Sequence, residues 1–424
     1  MRYIFRLMSL ASVSLIANTN FVFVGLAESL EVFNAETNTL IASYPLPPVS
    51  TPESTTLAIS RDRKVASLIR GVPPNGTNSF QIFDPIDFLS AKFVSLPNTI
   101  FANGSLTSNG EIIVGYGYLL STFNTVARNS MLINQFDSFF SKSMQISNNG
   151  EFICGQNGTA DPLKIIFLNS NASKNVTYPD GSTVNIYTFF ISTDSTKIYA
   201  IPAENDSVTA NSYPLLVIDP ATGFIEQTIT LNFPSPIDPV FRLVSNEVNG
   251  KVALQTLKST PEIWIVDLEN PSSTSQALGG CTSKGYGVIG RMAFSKDANY
   301  LYAYNDTELY KIEVSTLNSS LIKTFNDEIF TVATIATSIE GRASKTQGLS
   351  GTDYFNQLEW EPLFPPTKFL IYRNQEFITT LEGGDKRFED HYLEPKKTYN
   401  YEVFAVWSDL TQSSIGQTTV TTIQ

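Results

Sequence analysis

The feature that most constrains this 424-residue chain is a phrase that recurs along most of its length: a short strand of apolar and aromatic residues, a polar loop, a second apolar strand often ending in Asp or Asn, a turn, and a third strand. The opening strand recurs seven times, at residues 21–24, 65–69, 111–114, 151–154, 197–200, 251–254 and 300–303. The second strand recurs in register at 30–33, 80–83, 131–133, 165–168, 215–218, 262–266 and 309–314. Six of the seven opening strands follow a turn built on Ser60, Ser108, Ser147, Ser192, Ser245 or Ser295, each with Asp, Asn or Gly nearby. Those residues supply the positive φ angles and the short side-chain hydrogen bonds that tight hairpins need.

Residues 21–342 divide into about 46 per repeat, the length of a four-stranded blade, so the repeat predicts an all-β fold with a seven-bladed β-propeller over residues 18–342. The copy at 21–24 has no preceding turn, and the last repeat, through 309–314, 321–325 and 329–338, stops without a closing strand of its own. An open sheet edge invites pairing with other chains. The expectation is therefore that strand 21–24 completes the last blade and closes the ring.

Composition agrees: 42% of residues are apolar and 16% charged, enough to fill a core and too little charge for a disordered chain. Twenty-eight basic residues against forty acidic ones give a net charge of −12. That field repels phosphate backbones, so no nucleic-acid partner is expected. The basic pairs Lys386-Arg387 and Lys396-Lys397 read as solvated strand edges or turns.

The chain opens Met1-Arg2-Tyr3-Ile4-Phe5-Arg6 and continues with a mostly apolar run from Leu7 to Ala17. A basic start before a short apolar run is the pattern of a signal peptide, read here as residues 1–17, with Ala27 as the alternative cleavage point. The run is too short to span a bilayer, so no integral membrane span is expected after cleavage. The expected location is secreted or on the cell surface, or periplasmic in a Gram-negative cell. The two cysteines, Cys154 and Cys281, fall in different repeats and read as separate buried thiols, with a bridge as the alternative. Eight Asn-X-Ser/Thr sequons occur, a number that a chain so rich in these residues nearly reaches by chance.

After Arg342 a small, polar stretch, Ala343 to Gly348, reads as a linker, and a different grammar follows. Residues 358–362, 368–372 and 399–406 alternate apolar with polar side chains, as half-buried strands of a β-sandwich do. The run Leu393-Glu394-Pro395-Lys396-Lys397-Thr398-Tyr399, leading into Tyr401, Val403 and Ala405, resembles the tyrosine corner of a fibronectin type III domain. That resemblance implies an immunoglobulin-like sandwich over residues 343–424, with Tyr399 bonding backbone upstream and Trp360 as its core tryptophan. Phe369 to Asn374 resembles a hairpin common in bacterial members, with Gln375 in place of the usual glycine. In the repeats, Val217-Ile218-Asp219-Pro220-Ala221-Thr222-Gly223 resembles the YVTN-type repeat of bacterial and archaeal surface propellers, which implies fold far more than function.

The chemistry on offer is narrow. The one histidine, His391, lies in the C-terminal segment, so Ser-His-Asp or Cys-His triads and His-ligated zinc are excluded from the repeats. No calcium loop, phosphate-binding glycine loop or cysteine knuckle occurs, and neither a metal, a cofactor nor a catalytic residue is assigned. Asp84, Asp219 and Asp267 share one repeat position, where a carboxylate caps the following turn; Asp87 lies close by. Tyr286, in the glycine-rich stretch 279–290, is the one candidate ligand-binding side chain. The expected function is a secreted or surface scaffold that binds a protein or glycan. The alternative is an extracellular carbohydrate-active enzyme using paired carboxylates in the propeller.

Overall fold

A computed structural model of the chain describes residues 20–26 and 28–45, the strand segments between 56 and 135, and 143–423 with interruptions, the longest at 277–291. The segment 1–17, Asp84, Asp87, Cys281 and Tyr286 lie outside the described residues. Among the described residues every regular element is a strand. No described helix is long and apolar enough to cross a membrane. The chain divides into two compact units, Asn20–Ile335 and the segment from Ala336 to the C-terminus.

In the first unit the described strands form seven four-stranded sheets. Six are simple antiparallel meanders, each built from four strands consecutive in the chain. The fifth shows the pattern: Ile198–Pro202 pairs with Ile186–Ile191 on one side and with Ala210–Ile218 on the other, and Ala210–Ile218 pairs in turn with Ile225–Ile237. All seven opening strands of the repeat occupy the second position of their sheets. Where its side chains are described, that position is buried between neighbouring sheets, which explains why these strands are mostly apolar rather than alternating. Phe152–Gln156 is buried at every residue, and Val22, Phe23 and Val24 are fully buried.

One core after another bridges successive sheets. Ile165, Phe189 and Leu216 join the fourth to the fifth; Leu215, Leu231 and Trp264 join the fifth to the sixth; Ile263, Phe294 and Ile312 join the sixth to the seventh. The last cluster packs Tyr302, Leu309 and Phe325 of the seventh sheet against Val22, Val24, Phe33 and Ile329 of the first. The row of sheets therefore returns on itself.

Two details depart from the sequence expectation. The last sheet, Ala293–Phe294, Tyr300–Asn305, Glu308–Glu313 and Ser319–Thr324, is complete without help. The incomplete sheet is the first, and Ile329–Ala336 enters it beside Asn20–Leu26 in the order Ile329–Ala336, Asn20–Leu26, Ser29–Asn34, Leu40–Pro45. The C-terminal strand is the donated one, because the most apolar strand of each repeat is second in its sheet, not first. In the third repeat the strand following Ile112–Tyr116 is Leu119–Asn124, and 131–133 belongs to the fourth strand, Asn129–Gln135. There Tyr116 pairs with Leu119, leaving only two residues between the strands, in place of the polar loop of the other repeats.

The second unit has a three-stranded sheet, Ile339–Gly348, Gly351–Trp360 and Arg387–Asp390, and a four-stranded sheet in the order Glu376–Glu382, Lys368–Arg373, Thr398–Val406, Gln412–Thr421. The stretch expected as a linker lies inside the first of these strands, where Ala343 to Gly348 pairs with Asn356 to Gly351. Small polar residues suit a half-exposed edge strand as well as a linker, and composition does not separate the two. The hairpin with Gln375 in place of glycine keeps a two-residue turn: Arg373 pairs with Glu376, and Asn374 and Gln375 take φ of 50° and 72°. Both central residues are left-handed, as in a type I′ turn.

Candidate functional site

The polar residues that recur in the repeat hold its turns. Ser147 Oγ accepts from the Phe152 amide at 3.0 Å, Ser192 Oγ from the Lys197 amide at 2.9 Å, and Ser295 Oγ from the Tyr300 amide at 2.9 Å, each five residues on. Inside the same turns Gly150, Ser195 and Ala298 take positive φ, as does Asn249 before Lys251–Thr256. At the position after the third strand, Asn34 Oδ1 accepts from the Glu36 amide at 2.9 Å, Asp219 Oδ1 from the Ala221 amide at 2.9 Å, and Asp267 Oδ1 from the Glu269 amide at 3.0 Å. The Lys251 ammonium beside Asp267, at 2.9 Å, holds its carboxyl below the usual range. A general acid needs the opposite shift, so Asp219 and Asp267 act as turn caps.

The first strands of the second to sixth sheets lie side by side in sequence order. Gln145, on Ser143–Ile146, bridges to the next such strand, Ile186–Ile191: its Nε2 donates to Phe189 O at 3.2 Å and its Oε1 accepts from the Ile191 amide at 3.2 Å. A side-chain amide here satisfies backbone groups that no fifth strand reaches. Gln156, fully buried, reaches across in the same way and donates to Ile186 O at 2.9 Å. Seven strands occupy this first position: Thr56–Ile59, Asn103–Leu106, Ser143–Ile146, Ile186–Ile191, Phe241–Leu243, Ala293–Phe294 and Ile329–Ala336. Their sequences hold no Asp or Glu, and Arg242 is their one charged residue.

The first and seventh sheets are tied by two lysines. Lys311 Nζ donates to Ala35 O at 2.7 Å and sits 4.0 Å from the centre of the Tyr300 ring, and burial pushes its ammonium below the ordinary lysine value. Lys323 Nζ pairs with Glu31 at 2.7 Å and lies over Phe33 and Phe325.

In the second unit the buried Tyr399 hydroxyl accepts from the Glu394 amide at 3.1 Å, as the corner spacing predicts. Trp360 is buried with its ring edge-on to Phe369 at 5.4 Å. A polar bridge that sequence reasoning missed joins the two sheets. Asn356 Nδ2 donates to the Tyr401 hydroxyl at 3.1 Å, that hydroxyl donates to Asp390 Oδ2 at 2.7 Å, and Arg373 Nη1 donates to both Asp390 oxygens at 2.9 and 3.1 Å. Burial, then the bond to Asp390, pushes the Tyr401 hydroxyl far above the ordinary tyrosine value, so it stays protonated. The available signal was the alternation itself: Asn356 shares its parity with the core residues Leu358 and Trp360.

His391 lies at the surface: its Nδ1 is 2.7 Å from Asp353 Oδ2, its Nε2 is 3.3 Å from Glu389 Oε2, and its ring stacks on Phe355 at 4.9 Å. Cys154 is a buried free thiol whose burial pushes it well above the ordinary value, leaving it a packing residue. Among the described residues no group of His, Cys, Asp and Glu is arranged to hold a metal ion.

No family model matches the chain, and no curated protein matches it. Solved structures do match in fold. One is AztD of Citrobacter koseri, 11% identical over 75% of this chain and 98% of that one, with a TM-score of 0.51. Another is a functionally unknown protein of Desulfotomaculum acetoxidans, 13% identical over 75% of this chain and 99% of that one, with a TM-score of 0.52. The neighbours are β-propeller proteins, and the likeness at this identity is one of fold: the chain is all-β with a propeller.

Proposed function

We propose that this chain is an exported binding protein, in which a seven-bladed propeller holds a protein or glycan ligand on its face or in its central channel and a fibronectin type III-like sandwich serves as spacer or adhesive module. Seven four-stranded sheets with the last packed on the first support the blade number. The bond between Tyr399 and the Glu394 amide, with the strand orders of the two C-terminal sheets, supports the second identification.

The observation that carries the binding reading is the character of the seven first-position strands. By sequence they contain hydroxyls, amides, aromatic rings and the single charge of Arg242 and no carboxylate, a composition suited to recognition by hydrogen bonding and stacking. The carbohydrate-active alternative needs two carboxylates about 5–10 Å apart beside the bound sugar. These strands provide none, and Asp219 and Asp267 are engaged in turns.

The test is a glycan-array and pull-down screen of the mature protein. Saturable binding that Arg242→Ala weakens supports the proposal; no binding to any glycan or extract at about 100 μM, a free energy of only about −5 kcal/mol, would sink it.

A further inference from the structure

The one histidine of the chain sits between two carboxylates from different strands, and the same carboxylate that holds it also holds the backbone of the next residue. Asp353 Oδ2 is 2.7 Å from His391 Nδ1, while Asp353 Oδ1 accepts from the Tyr392 amide at 2.8 Å. Tyr392 takes a left-handed φ of 59°, which costs a non-glycine residue energy unless its surroundings impose it. Its side chain is 88% exposed. Immediately downstream, the Leu393 amide donates to Tyr354 O at 2.8 Å and the Glu394 amide donates to Tyr399. The strained residue thus lies between two fixed points, Asp390 upstream and Leu393–Glu394 downstream, and its own amide is held by Asp353.

We propose that His391 is a proton-operated latch: charged, it bridges Asp353 and Glu389 and holds Tyr392 in its left-handed, outward-facing position, and neutral, it releases Glu389 and loosens that segment. The geometry sets the two states. An imidazolium donates from both ring nitrogens and satisfies both carboxylates. A neutral ring keeps one proton, so the nitrogen facing the second carboxylate presents a lone pair to an anion. Glu389 then retains only Arg387, with which it is already paired.

The other charged groups on this sheet face do not substitute for the histidine. On Gly351–Trp360 they are Asp353 and Glu359, with Gln357 between them; on Arg387–Asp390 they are Arg387 and Glu389. On Ile339–Gly348 the residues opposite Asp353 and Phe355 are Thr346 and Ser344, and the charges Arg342 and Glu340 lie farther along, bonded to each other. The bond to Asp353, foremost, raises the His391 titration point above its ordinary value. A raised folded-state value means the latch's stabilisation is fully present below about pH 6.5, the unfolded reference, and is lost as pH rises through the folded titration point.

The test uses the full chain, whose single histidine gives one imidazole signal by NMR, together with hydrogen exchange of the peptide spanning residues 388–395. The imidazole is expected to titrate above its ordinary value, and protection of the peptide, corrected for intrinsic exchange, to fall about three- to tenfold as pH rises through that point. His391→Gln should abolish the pH dependence, and Asp353→Asn should return the titration toward the ordinary value. Emission of Trp360 and Trp407 should stay constant throughout, showing that the unit remains folded. Protection that ignores pH, a pH dependence that survives in His391→Gln, or a parallel change in tryptophan emission each overturns the latch.

Discussion

Tyr401 is the residue whose loss should reveal most about what holds the C-terminal unit together. It is 1% exposed, and from the four-stranded sheet its hydroxyl reaches the neighbouring Asn356 and Asp390 of the three-stranded sheet across the core. Tyr401→Phe keeps the ring and deletes one oxygen. It removes a hydrogen bond to a carboxylate, worth about 1.5–3 kcal/mol, and strands the buried Asn356 amide, which costs about 1–3 kcal/mol more. Asn356 Oδ1 already has no hydrogen-bond partner, so the mutant side chain is left without any. Asp390 keeps both bonds from Arg373 and contributes little to the loss. The expected destabilisation is about 3–5 kcal/mol, a large part of the stability of a small unit. Guanidinium unfolding of the full chain followed by tryptophan emission reads it directly, because Trp360 and Trp407 lie in this unit and only Trp264 in the other. The double variant Tyr401→Phe with Asn356→Leu removes the orphan and should recover much of the loss. A single-mutant effect below about 0.5 kcal/mol, or a double mutant no better than the single, refutes the reasoning.

Two further outcomes follow from the propeller. Deleting residues 18–25 removes the second strand of the first sheet, including the fully buried Val22, Phe23 and Val24, and leaves Ile329–Ala336 nothing to pair with; at about 1.5–3 kcal/mol per buried side chain the loss matches or exceeds the net stability of a domain, and calorimetry should show no cooperative propeller transition. Gly223→Ala forces a φ of +78° on a residue with a Cβ and sets that carbon 3.1 Å from Asn175 O, so thermal melting should report a loss of about 1–3 kcal/mol; an unchanged melting temperature contradicts the turn geometry.

How much of this was legible in the sequence depends on how local the determining interactions are. The serine turns and the Asn34, Asp219 and Asp267 caps are contacts over two to five residues, and the repeat displayed them openly. The corner at Tyr399 was readable for the same reason, since its partner is only five residues away. Strand order within a sheet is a different matter. Apolar content marks the most buried strand, and here that is the second strand of each sheet rather than the first, so the sequence pairs 21–24 with the segment from 329 as the structure does but does not reveal which sheet the pair completes. The Asn356, Tyr401, Asp390 and Arg373 bridge joins four strands, and only the parity of Asn356 hinted at it. The two acidic partners of His391 come from separate strands, and no spacing announces them.

The donated strand Ile329–Ala336 also imposes a schedule on biosynthesis. The three strands that begin the first sheet leave the ribosome early, and the strand that completes their sheet is made roughly 300 residues later, a wait of about 15–60 s at ordinary elongation rates. Until then Asn20–Leu26, apolar from Phe21 onward, carries an unpaired edge. The nascent chain is thus open to mispairing at this edge, and escape from that vulnerability is tied to completion of nearly the whole propeller.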